Sequence, residues 1–131
     1  MRSAIFMNGK RFLETSFGDE LAFEDLVKKN SKILFGPKTI YLDLKKRIES
    51  KTLGASIPDG FLFDFGKKDY VDFYLVEVEL SSHDFYNHIF KQITKFFGFF
   101  QNESSRHSLV ERLFSHIMDN GDVEAEFRSY I

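Results

Sequence analysis

The stretch Pro58–Leu80, PDGFLFDFGKKDYVDFYLVEVEL, decides the reading of this 131-residue chain. Phe61–Phe65 and Tyr70–Leu80 are aromatic and β-branched runs, separated by the polar segment Gly66-Lys67-Lys68-Asp69, which has hairpin length. They are predicted to pair as antiparallel strands. Side chains alternate along the second run, so Phe73, Leu75, Glu77 and Glu79 share one face while Tyr74, Val76, Val78 and Leu80 take the other. Both faces are mostly apolar, which predicts a central, buried strand. Two carboxylates at the end of such a strand are costly unless something cationic satisfies them. With a three-residue loop Lys67–Asp69, Asp59 falls directly across from Glu77 on the same face. Asp59, Glu77 and Glu79 then form the oxygen-rich environment that suits Mg²⁺ or Mn²⁺ and phosphodiester hydrolysis. The plainer alternatives are a solvent-facing strand end for the two Glu and a Pro-Asp-Gly turn for Asp59.

Helices are predicted on either side. In Asp19–Asn30 (DELAFEDLVKKN) apolar residues recur at helical spacing, acids crowd the first turn, and Lys28 and Lys29 occupy the last. Lys32–Phe35 and Thr39–Leu44 follow around Gly36-Pro37, the latter reading either as a strand or as the lead-in to Lys45, Lys46 and Arg47. Beyond the hairpin, Asp84–Phe100 carries Phe85, Ile89, Ile93, Phe96, Phe97 and Phe100 on one broad apolar face, after a cap signal at Ser81-Ser82. A polar break is expected at Gln101–Ser105, then a helix over Ser108–Asn120 stopped by Gly121, and a last short helix over Val123–Ile131.

Composition bounds the function. The length fits one domain, and 43% hydrophobic residues with 17 Phe exclude a disordered chain. Without Cys there is no disulfide scaffold, thiol nucleophile or Cys-ligated zinc, which agrees with a cytoplasmic location. No apolar run is long enough to cross a bilayer, and no secretory signal is expected, so no membrane partner is read. The net charge of −2 is segregated: residues 1–51 carry +4, and 52–100 and 101–131 carry −3 each. Lys28, Lys29, Lys32, Lys38, Lys45, Lys46, Arg47 and Lys51 thus precede the acidic centre, either as a solvated face or as an approach for a phosphate backbone. His83, His88, His107 and His116 show no i, i+4 ligand spacing within one helix and are assigned no role.

Pro58-Asp59, a hydrophobic hairpin and Glu77-Val78-Glu79 together resemble the core of the PD-(D/E)XK nuclease superfamily, in which an Asp precedes an acidic-x-Lys on the next strand. Glu20 stands where members carry a Glu on the first helix, and Gln92 with Phe96 is similar to the Q-x-x-x-Y helix motif of the RecB-type branch. These positions cover residues 20–96. The resemblance implies a restriction-endonuclease-like α/β fold, a central mixed β-sheet flanked by α-helices, in a single domain over 1–131. It implies a metal-dependent DNA endonuclease in which Asp59, Glu77 and the Val78 carbonyl bind Mg²⁺ or Mn²⁺ and Glu20 completes the shell. Glu79 occupies the place of the usual Lys and would position water or a second ion, and Lys91 or Lys95 is a candidate substitute cation. Gln92 would hold the site or the sugar-phosphate backbone. A catalytically inactive nucleic-acid-binding or protein-interaction module with the same fold is the alternative, and a structural adaptor unrelated to nucleases is a third. Surplus aromatics on the Phe-rich helix suit a homodimer interface.

Overall fold

The structure is a computed structural model that describes residues 2–44 and 57–131. It is mixed α/β, with two antiparallel sheets and five α-helices among the described residues. The three-stranded sheet has the order β3 (Thr39–Leu42), β4 (Gly60–Asp64), β5 (Asp72–Val76). Its pairings are all antiparallel, so the sheet is not the mixed one expected, and β4 rather than β5 is its central strand.

The hairpin register is the one the sequence requires. Gly60 pairs with Val76 and Asp64 with Asp72, which carries Asp59 opposite Glu77. The connection runs over the seven residues between Asp64 and Asp72 instead of three, yet the register is the same because only the pairs nearest the turn are missing. Two features hold that turn. Asp64 Oδ1 accepts the Gly66 N–H at 2.8 Å, and Lys67 Nζ lies 2.7 Å from Asp72 Oδ2. The run Tyr70–Leu80 forms a strand only over Asp72–Val76 and, as an edge strand, leaves Tyr74 about half exposed. Gly60 pairs with Val76 in β4, and the Tyr41 ring fills the place where a Cβ would sit, so only glycine fits there. Pro58-Asp59-Gly60 is therefore a strand entrance.

Period-two alternation sorts the sheet's two faces. Ile40, Leu42, Phe61, Phe63 and Phe65 meet Phe99, Leu109, Leu113 and Phe127, which come from α3 (Phe90–Gln101), α4 (Glu103–Asp119) and α5 (Gly121–Tyr130). Phe127 sets its ring edge-on to both Phe63 and Phe65. On the opposite face α2 (Ser31–Phe35) brings Phe35 parallel to Tyr41, with ring centres 6.1 Å apart. Lys32 of this helix is absorbed by the fold: its ammonium donates to the Thr39 carbonyl at 2.7 Å and lies 2.5 Å from Glu126. Lys28 pairs with Asp43 at 3.3 Å, while Lys45, Lys46, Arg47 and Lys51 lie outside the described residues.

α1 (Glu20–Lys29) begins where Asp19 accepts the Ala22 N–H at 2.7 Å and caps the helix. The expected helix over Asp84–Phe100 opens instead as a π-helical turn, Phe85–Ile89, capped by Asp84, before α3 continues it. Ser81-Ser82 is not the cap. The break at Gln101–Ser105 contracts to Asn102, whose side chain accepts the Ser105 N–H; the first turns of α4 are polar because they face solvent. Asn120 likewise caps α5 through the Val123 N–H, so Gly121 opens that helix. An unanticipated hairpin, β1 (Ala4–Met7) and β2 (Lys10–Leu13), precedes α1. Asn8 and Gly9 both have positive φ, 51° and 73°, the two-residue connection that matches strand twist. No helix among the described residues is long and apolar enough to cross a membrane.

Candidate metal centre

The open end of the β4–β5 hairpin gathers acids from three parts of the chain. Asp59, 5% exposed, stands at the entrance to β4 and accepts the Val78 N–H on Oδ2 at 2.7 Å. That bond crosses the hairpin one residue past the last strand pair and fixes the Asp59 carboxylate beside the Glu77–Glu79 segment. α1 supplies Glu20 from its first turn and Glu24 one turn later, which places both on the same side of the helix. Glu20, Glu24 and Asp59 each present a carboxylate oxygen to a common point, with the three oxygens within 4.8 Å of one another.

Glu79 carries the site further. Its side chain is 8% exposed, and its two oxygens receive the Nδ1 atoms of His83 and His88, the latter at 2.8 Å. Glu79, His83 and His88 form a second group whose donor atoms lie within 4.8 Å of one another. The two groups adjoin, since His83 Nδ1 is 3.4 Å from Glu20 Oε2.

The carboxylates respond to this crowding in opposite ways. Burial, then the charges of Glu79 and Asp59, push the Glu20 carboxyl above its usual range against the pull of the two His. For Glu79 burial is the largest single influence and opposes the charge. The hydrogen bonds from His88 and His83, with their charges, together outweigh it and hold the carboxyl below its usual range.

Of the residues singled out from the sequence, Glu20, Asp59 and Glu79 converge here. Glu77 belongs to neither donor group among the described residues; it lines an apolar groove with Leu75, Ile89, Ile93 and Phe96, facing α3. Alternation explains this, because Glu77 follows Leu75 on the face that α3 covers. Val78 is 4% exposed and acts through its N–H. Gln92 is half-buried on α3, one turn beyond His88, and its Oε1 has no hydrogen-bond partner among the described residues. Lys91 and Lys95 are exposed, and the nitrogens that reach Glu79 belong to His83 and His88.

Two of the His residues given no role from the sequence, His83 and His88, stand against Glu79. The i, i+4 test fails because His83 precedes the helix and His88 lies in a π-helical turn; the legible signal is Glu79–His83 at i, i+4 across the strand end. Glu24 escaped notice as an ordinary acid within a helix. Comparison with known proteins returns no family model, no curated protein and no solved structure that matches this chain.

Proposed function

We propose that the chain is a divalent-metal-dependent nuclease of the PD-(D/E)XK type that hydrolyses phosphodiester bonds, with DNA as its substrate. The observation that carries this reading is the convergence at one hairpin end of Asp59, Glu79 and Glu20, from three separate elements, with Asp59 held opposite Glu77 by register. The succession of first helix, three antiparallel strands and a following helix bearing Gln92 supports a restriction-endonuclease-like arrangement.

The donor set fits a hard cation. Three carboxylate oxygens within 4.8 Å, one from a buried Asp, repel one another unless an ion of opposite charge sits among them. Bound there, Mg²⁺ or Mn²⁺ supplies Lewis acidity to a phosphate oxygen and makes water a nucleophile near neutral pH. Asp59 anchors the ion, its orientation set by the Val78 N–H. Glu20 and Glu24 would add ligands from a rigid helix turn, whereas Glu77, which the resemblance would make a ligand, lies outside this donor group and lines the groove facing α3. Glu79 fills the place of the missing Lys and, with two imidazoles on it, presents nitrogen atoms next to the carboxylate group. The Cys-free composition agrees with a reducing compartment such as the cytoplasm, and the exposed Phe90 and Phe97 of α3 suit a second copy of the chain.

The test is cleavage of duplex, branched and single-stranded DNA in Mg²⁺ or Mn²⁺ by wild type and Asp59→Asn. Chelator-sensitive cleavage that falls by roughly 100-fold or more in the variant is expected. Equal cleavage by both proteins refutes the assignment. Metal binding without cleavage of any substrate favours the alternative, an inactive nucleic-acid-binding module, which the replacement of Lys by Glu79 supports.

A further inference from the structure

From the convergence of two imidazoles on one buried carboxylate we infer that Glu79, His83 and His88 form a distinct site for a borderline transition-metal ion of the Zn²⁺ class. The inference stands independently of the nuclease reading. Its donor set differs in kind from that of the neighbouring group: Glu20, Glu24 and Asp59 offer oxygen only, whereas this triad offers two nitrogens and one carboxylate. Imidazole favours Zn²⁺, Cu²⁺, Ni²⁺ or Fe²⁺ over Mg²⁺, and two His with one carboxylate leave positions open for water or substrate.

The scaffold around the triad is built to hold it. Glu79 leaves the sheet just after β5, and the chain turns at once, the His83 N–H donating to the Leu80 carbonyl at 3.0 Å. Asp84 then accepts the N–H groups of Tyr86 at 2.8 Å and Asn87 at 3.1 Å, and Phe90 donates to the Phe85 carbonyl to close the π-helical turn. A π turn changes which side chains share a face, and such turns recur at functional sites. Here the turn carries His88, while His83 comes from the tight turn that precedes it, and both reach one carboxylate. The rings are 5.2 Å apart at 64°, so each is aimed at Glu79 rather than stacked on the other. The carboxylate is buried while the imidazoles are partly open, which gives an ion a fixed anionic floor and an entry path from solvent. Glu20 Oε2, 3.4 Å from His83 Nδ1, borders the triad from the neighbouring oxygen group.

Calorimetric titration of the intact chain with Zn²⁺ at neutral pH, alone and in excess Mg²⁺, tests the site. Wild type is expected to bind one Zn²⁺ that millimolar Mg²⁺ does not displace. The variants His83→Gln and His88→Gln, which keep a hydrogen-bond donor for Glu79, should each weaken binding about tenfold or more, and together abolish it. Asp59→Asn should leave Zn²⁺ affinity unchanged. Co²⁺ in place of Zn²⁺ should give visible absorption bands in wild type that vanish in the double variant, with far-ultraviolet circular dichroism verifying its fold. Wild type that takes up no Zn²⁺ below millimolar concentration overturns the inference. So does a folded double variant with wild-type affinity, or an Asp59→Asn protein that loses binding with it. Because the readout is binding, none of these results bears on whether DNA is cleaved.

Discussion

The two ends of the β4–β5 hairpin use the same residue types to opposite effect. At the turn end, Asp64 and Asp72 stand directly across from each other, a like-charge pair that costs stability in a sheet. Each is nonetheless satisfied within its own loop, Asp64 by the Gly66 N–H and Asp72 by Lys67, whose ammonium also lies 4.8 Å from the centre of the Tyr70 ring. At the open end Glu20 and Glu24 meet a buried Asp59, and the Nδ1 atoms of His83 and His88 reach the buried side chain of Glu79. Acid spacing along the strands does not separate a structural pair from a candidate cation site. The burial of Asp59 and of the Glu79 side chain does.

The comparison depends on β4 holding both ends in register, and Phe61→Ala tests that dependence most severely. Phe61 is fully buried in the core, so its truncation should cost about 3–5 kcal/mol in urea unfolding and disturb both ends together. A smaller contrast follows from removing one acid at each end, measured with chelator present. Asp59→Ala strands the buried Val78 N–H and should cost roughly 1–3 kcal/mol. Asp72→Ala removes a partly exposed ion pair along with its repulsion by Asp64, and should stay within about 0.5 kcal/mol. Equal losses at the two positions would erase the distinction between the ends.

Within the open end, pH separates Glu20 from Glu79. The folded pKa of Glu20 is raised above the ordinary 4.5, so its charge is a burden on the fold above that range. Glu20→Gln should therefore raise stability at pH 7, by on the order of 1 kcal/mol or less, and the gain should disappear as pH falls below about 4.5. Glu79 has the opposite sign: its folded pKa lies below 4.5, and the stability it contributes is present above that value and lost as pH falls through the folded pKa. Thermal unfolding of Glu20→Gln and Glu79→Gln across pH 3–7 in chelator checks both, and parallel curves would contradict the assignment. The smallest effect belongs to Lys67→Ala, expected to leave the urea unfolding midpoint essentially unchanged because Lys67 is exposed and screened.

Much of this arrangement is legible in the residues alone. Alternating aromatic and β-branched residues set the hairpin and its register, because a slip by one would turn Phe61, Phe63 and Phe65 away from the helices. The charge order of Asp19–Asn30 sets α1, whereas the first hairpin, closed by Asn8-Gly9, is not expected from the sequence. These are local rules, acting over one turn of helix or one pair of strands. The strand taken as central is an edge, because the order of strands depends on where β3 docks, and nothing within Tyr70–Leu80 records that.

The site divides along the same line. Which acids can meet across the hairpin follows from register, and so Asp59 opposite Glu77 is determined by the sequence. Which of them do meet is decided by what packs on each face. α3 covers the face that carries Glu77 and draws that side chain into an apolar groove, while α1 brings Glu20 and Glu24 to Asp59. The π-helical turn brings His88 to Glu79 through a backbone geometry that no residue spacing announces. Sequence by itself determined the strands, the caps and the inventory of acids, since each rests on neighbours in the chain. Only the tertiary structure decided their grouping into an oxygen site and a nitrogen-bearing one, because that grouping depends on contacts between elements far apart in the chain.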